Sequence, residues 1–110
     1  MTFNLDVPYT LKEVLGAMTN RYKLQELAYH GGEIEAPIIL LADVEDIINK
    51  AKLTKRQLEV VDLYFYNQLT QEATAKILNI SQQAVQDYIS KIKCKLAKVI
   101  NSQKAGDKLD

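Results

Sequence analysis

Apolar residues recur at helical spacing through most of the chain, and the gaps between the stripes mark where helices start and stop. Leu11, Val14, Leu15, Met18 and Tyr22, with Leu27 at the flank, predict one amphipathic helix from Thr10 to about Ala28. Gly16 weakens that helix or marks a close helix contact. His30-Gly31-Gly32 is the clearest breaker and predicts a mobile link. A second helix is predicted over Glu33 to Lys52, starting near Pro37, with Ile38, Leu41, Val44, Ile47 and Ile48 as its apolar stripe. Glu33 and Glu35 suit its N-terminus, and Lys50 and Lys52 suit its C-terminus. The run Pro37 to Leu41 is apolar enough for a strand, but its length and the spacing that follows argue for helix. Met1 to Tyr9 reads as an extended lead.

From Leu53 to Ile100 the pattern predicts three helices with two short breaks. Thr54 and Gln57 form a T-x-x-Q capping box, and Leu53 and Leu58 are placed as a hydrophobic staple. Leu58, Val61 and Phe65 then recur on one face, and Asn67-Gln68 ends the helix. Thr70 is the expected cap of a short helix carrying Ala73, Ala75, Ile77 and Leu78. Asn79 stands at a sharp turn, where a residue tolerant of the left-handed conformation is needed. Ile80 is expected to plug the core beneath that turn. Ser81 is the expected cap of the last helix, with Ile80 and Val85 as a second staple. Val85, Ile89, Ile92, Leu96 and Val99 keep one face apolar. The other faces carry Gln82, Gln83, Gln86, Asp87, Ser90, Lys91, Lys93 and Lys95. Folding does not require glutamines at the exposed start of such a helix, but base reading in the major groove does require polar side chains there.

These residues resemble the C-terminal DNA-binding region of bacterial sigma factors, region four, and the LuxR-type helix-turn-helix that shares its pattern. The skeleton L-T-x-R-x-x-E-V runs over Leu53, Thr54, Arg56, Glu59 and Val60. It continues as L-[ST]-x-E-x-x-A-x-x-L-x-I-S-x-x-x-V over Leu69, Thr70, Glu72, Ala75, Leu78, Ile80, Ser81 and Val85. The same module occurs in small phage and mobile-element regulators of Gram-positive bacteria. The resemblance implies a helix-turn-helix fold and DNA binding. Three departures qualify it. Thr74 stands where sigma factors usually have Ile, and Asn79 where they have Gly. Residues 82–87 lack the Arg and Glu typical of a sigma recognition helix. The fold therefore carries over, and recognition of a sigma promoter element does not.

Composition narrows the function class. At 110 residues the chain fits one small domain, or one module with an extension. A net charge of zero counts at first against nucleic acid. The charge is unevenly spread: residues 1–52 hold five basic and eight acidic side chains, and residues 53–104 hold eight basic and four acidic. The basic half coincides with the helix-turn-helix, as DNA binding requires. The single Cys94 excludes an internal disulfide and suits a reducing cytoplasm. It reads as an ordinary helix residue rather than a reactive thiol. Met1 to Asp6 lacks a basic start and an apolar run, so no secretory signal is expected. No apolar stretch approaches the roughly 20 residues of a membrane span. His30 reads as a loop residue, and with one His and one Cys a zinc site has little to build on. No phosphate loop, nucleophile elbow or histidine-based triad is present. Asp43, Glu45 and Asp46 look like a solvated helix face. No enzyme, cofactor or metal is expected.

The sequence thus predicts an all-α chain of about five helices. Residues 1–52 form a two-helix extension for packing or dimerisation, residues 53–100 a trihelical helix-turn-helix module, and residues 101–110 a frayed polar tail. The expected function is sequence-specific transcription regulation on double-stranded DNA, with the helix 81–100 in the major groove. Gln82, Gln83, Gln86 and Ser90 are the expected base readers, and glutamine's pairing with adenine N6 and N7 points to an A·T-containing site. Lys55, Arg56, Lys76, Lys91, Lys93 and Lys95 are the expected phosphate contacts. A homodimer joined through the N-terminal helices would extend the site. Two alternatives come from other classes: a module docking on RNA polymerase or another regulator without reading DNA, favoured by near-neutral charge and Asp87, and a phage DNA-packaging subunit.

Overall fold

A computed structural model describes residues 9–30 and 35–109, with side chains for residues 9–28 and 38–102. The described residues fold as helices α1 (Leu11–Thr19), α2 (Arg21–His30), α3 (Glu35–Ala51), α4 (Lys55–Val60), α5 (Gln71–Leu78) and α6 (Gln82–Leu109). A π-helical segment, Val61–Tyr66, continues α4 without a break. No strand occurs among the described residues, so the all-α expectation holds. The extended lead up to Pro8 and the Gly31-Gly32 link fall outside the described residues, as do the side chains of His30, Glu35 and Pro37.

Among the described residues the count of about five helices is corrected to six, because the first predicted helix divides. Thr10 opens α1 with a capping box to Glu13, its hydroxyl accepting from the Glu13 N–H at 3.1 Å. The helix ends at Asn20, whose Nδ2 donates to the Gly16 carbonyl at 2.8 Å. Short polar side chains compete with the helix for backbone partners in this way, and Thr19-Asn20 concentrates that tendency. The apolar stripe runs across the break, which is why periodicity alone joins the two pieces. Val14, Ala17 and Met18 are buried, whereas Tyr22 and Leu27, beyond the break, are exposed.

One apolar core spans both halves of the chain. Val14, Ala17 and Met18 of α1 meet Val44, Ile47, Ile48 and Ala51 of α3, Val60, Val61 and Phe65 of α4 and its continuation, and Ala75 of α5. The buried side of α6 supplies Val85, Ile89, Ile92, Leu96 and Ile100, and this helix contacts α1, α3, α4 and α5. Burying each such side chain contributes roughly 1.5–3 kcal/mol, so this stripe is a large contributor to cohesion. Ile100, rather than Val99, completes it. The helix continues to Leu109 through the segment expected as a frayed tail. Nothing between Ile100 and Ala105 breaks a helix, since neither Pro nor Gly occurs there.

Two further stripe assignments, Leu58 and Ile38, are corrected by packing, and Ile77 of α5 also faces out. Leu58, Ile77 and Ile38 are 45%, 60% and 49% exposed, and Gln57 takes the buried place beside Val60 and Val61. From α4 into its continuation the inward face is 57–60–61–65, which keeps Val61 and Phe65 of the predicted stripe and puts Gln57 inside in place of Leu58. The π-helical widening then closes through Asn67, whose N–H donates to the Asp62 carbonyl at 3.0 Å. The N-terminal helices are also tied to this region by polar bonds. Gln68 Nε2 donates to the Thr19 carbonyl at 2.7 Å, capping the end of α1. Arg21 pairs with Glu45 at 3.2 Å and lies over the Tyr66 ring at 4.6 Å.

Two predictions follow from this packing. A Cβ added at Gly16 meets nothing within 4 Å, so the glycine serves no close approach. Gly16→Ala is expected to raise stability by about 0.5–1 kcal/mol in urea unfolding; a loss would show that α1 packs more tightly than described. The Tyr9 hydroxyl donates to Asp43 at 2.7 Å, and burial together with the Asp43 carboxylate pushes its pKa up to about 12. The raised value means the stabilising contribution is complete below the usual tyrosine pKa and is lost as pH rises through 12. Ultraviolet titration should show a phenol ionising near pH 12 that Tyr9→Phe removes; an unchanged titration curve would contradict the assignment.

Candidate nucleic-acid interface

The geometry of α4, α5 and α6 is set by caps and one turn. Thr54 Oγ1 accepts from the Gln57 N–H at 3.1 Å, and Gln57 Oε1 accepts from the Thr54 N–H at 3.0 Å, completing the predicted box. Thr70 Oγ1 accepts from the Ala73 N–H at 3.0 Å and starts α5. Asn79 ends α5 at φ 58° and ψ 47°, in the left-handed region. The Ile80 N–H then donates to the Ala75 carbonyl at 3.0 Å, closing the turn. Ser81 Oγ accepts from the Ala84 N–H at 3.0 Å and opens α6. Thr74 is fully buried, and its hydroxyl donates to the Thr70 carbonyl at 2.9 Å. A polar residue is therefore accommodated there without an unpaired group.

Val85 and Ile89 lock the start of α6 inward. Helical spacing then places Gln82, Gln83, Gln86 and Ser90 together on an outward surface, and all four are exposed. They are not equally free. Gln83 Nε2 donates to Asp87 Oδ1 at 3.2 Å, one turn along the same helix. Gln86 Oε1 accepts from Gln71 Nε2 at 2.7 Å, which joins the outward surface of α6 to the first residue of α5. Gln71 was not among the residues singled out from the sequence. Its signal was its position at the start of α5, which the turn brings alongside the start of α6.

The basic residues divide into two groups. Lys55, Lys91 and Lys93 are exposed and make no ion pair with a described residue. Lys76, also exposed, lies 3.8 Å from Glu72 on its own helix, a loose surface pair. Arg56 and Lys95 are engaged inside the module. Arg56 Nη1 bonds Glu59 at 2.9 Å, and Nη2 donates to the Leu78 carbonyl at 2.9 Å, fastening α4 to the end of α5. The Glu59 hydrogen bond holds the Arg56 guanidinium above its already high pKa. Lys95 Nζ donates to Gln57 Oε1 at 2.8 Å, fastening α6 to the first turn of α4. Cys94 lies exposed on α6.

Because Gln57 is buried, the Lys95 bond has a structural consequence. Lys95→Ala is expected to cost about 1 kcal/mol of folding stability in urea unfolding; unchanged stability would show that the contact contributes nothing. No helix among the described residues is long and apolar enough to cross a membrane. Searches of curated proteins and of solved structures found no match. A comparison with family models did: residues 51–96, which contain α4, the left-handed turn and the outward start of α6, match Sigma-70, region 4, a helix-turn-helix DNA-binding region to which this part of the chain is similar.

Proposed function

We propose that the chain is a sequence-specific transcription regulator that acts by binding rather than by catalysis, with the start of α6 in the major groove of double-stranded DNA. The observation that carries this reading is the exposed set Gln82, Gln83, Gln86 and Ser90, held outward on the helix that follows the Asn79 turn. The match of residues 51–96 to a DNA-binding region supports it. Lys55, Lys91 and Lys93, exposed and unpaired with described residues, supply the phosphate contacts, and Lys76 adds to them once its loose pair with Glu72 opens. Arg56 and Lys95 contribute by fixing the angle between helices. The exposed Tyr22, Leu27, Ile38 and Ile39 of α2 and α3 support a homodimer through the N-terminal helices.

Mobility shifts on a pool of random duplexes test the reading, and a shifted, sequence-enriched band is expected. The absence of any shift would favour docking on a protein partner such as RNA polymerase. Gln86→Ala is expected to weaken the selected site by about 1–3 kcal/mol while leaving non-specific binding nearly intact. An equal loss on both would remove Gln86 from base reading. Lys93→Ala should weaken all sequences alike and reduce the salt slope by about 0.9; an unchanged slope would remove it from the phosphate contacts.

A further inference from the structure

Among the described residues, one side-chain hydrogen bond links α5 to the outward surface of α6, and it joins two primary amides. Gln71 Nε2 donates to Gln86 Oε1 at 2.7 Å. Gln71 is half-buried and Gln86 exposed, so the bond lies at the edge of the groove-facing surface rather than in the core. A glutamine amide has two unlike ends: an oxygen that only accepts, and an NH2 that only donates. Holding one end fixes what the other end offers.

We propose that Gln71 is a specificity-determining positioning residue, which anchors the oxygen of Gln86 and so turns the Gln86 NH2 toward the base edges. The proposal rests on the DNA-binding reading above and deepens it. An outward NH2 matches the major-groove acceptors N7 and O6 of guanine, N7 of adenine and O4 of thymine. It does not match cytosine, whose polar group in that groove is an N4 donor. The bidentate pairing of a free glutamine with adenine uses the oxygen as well as the NH2. The anchored amide therefore reads as a donor, which shifts the expectation drawn from glutamine alone. Ordering Gln86 before DNA arrives also reduces the entropy lost when it is immobilised on binding.

Two replacements separate positioning from bulk packing. Gln71→Ala frees the Gln86 amide. Gln71→Glu keeps the length of the side chain but offers only acceptors, so the carboxylate takes the Gln86 NH2 and leaves its oxygen outward. The full-length chain and these variants, checked for equal thermal unfolding, would each be used to select sites from a randomised duplex pool. The wild-type chain is expected to disfavour cytosine at one position. Gln71→Ala should reduce that discrimination by about tenfold at that position alone. Gln71→Glu should move the preference there toward cytosine or adenine, the bases with an exocyclic N–H donor. In a Gln86→Ala background, Gln71→Ala should change the base preference no further.

A wild-type chain that selects a site, with both Gln71 variants selecting the same site at unchanged discrimination, would overturn the proposal and leave the DNA-binding reading standing. So would a Gln71→Ala effect of equal size in the Gln86→Ala background. A wild-type chain that selects no sequence would overturn the DNA-binding reading, and this proposal with it.

Discussion

The left-handed turn at Asn79 is the constraint on which the rest of the candidate site depends. At φ 58° the chain reverses within one residue, and the Ile80 N–H closes onto the Ala75 carbonyl. Most side chains would pay roughly 1–2 kcal/mol in steric cost at such a position, whereas Asn tolerates it. The turn does two things at once. It sends Ile80 and Val85 toward the core, and it leaves the residues after Ser81 facing out. Arg56 reinforces it from outside by donating to the Leu78 carbonyl at the end of α5. Sigma factors usually carry Gly at this place, and both residues meet the same backbone requirement.

The helix that leaves the turn is also the hub of the fold. The inward stripe of α6 meets α1, α3, α4 and α5, so the orientation of its outward face is set by the whole core. The acidic N-terminal half is part of that core through Val14, Met18, Val44 and Ile47. Polar bonds fix its register: Gln68 onto the Thr19 carbonyl, Arg21 onto Glu45 and the Tyr66 ring. A zero net charge thus divides by role. The acidic residues concentrate in the half that packs behind, while Lys91 and Lys93 stand on α6 itself.

Features that depend on a few consecutive residues were legible in the sequence. Thr54, Thr70 and Ser81 act as caps, and Asn79 adopts the left-handed turn, because each is decided by local backbone chemistry. The outward placement of Gln82, Gln83, Gln86 and Ser90 followed from the strict inward stripe of α6. Features decided by distant partners were not legible. Leu58 and Gln57 are neighbours with opposite fates, because the choice depends on how α4 rotates against α6 and on the Lys95 side chain 38 positions away. The break at Asn20 was hidden because the apolar spacing continues through it. The engagement of Arg56 and Lys95 could not be read from charge, since a lysine bound to a neighbouring helix and a free lysine look alike in sequence. The pairing of Gln71 with Gln86 depends on side-chain conformations that only the packed turn creates.

The central claim is that DNA meets this protein at the start of α6. Nuclear magnetic resonance of the isotope-labelled chain, titrated with its selected duplex, locates the contact residue by residue. The account predicts the largest shifts at the backbone and side-chain amides of Gln71, Gln82, Gln83, Gln86 and Ser90, with the buried stripe of α6 nearly unmoved. Shifts confined to α2 and α3, with the start of α6 unchanged, would contradict it.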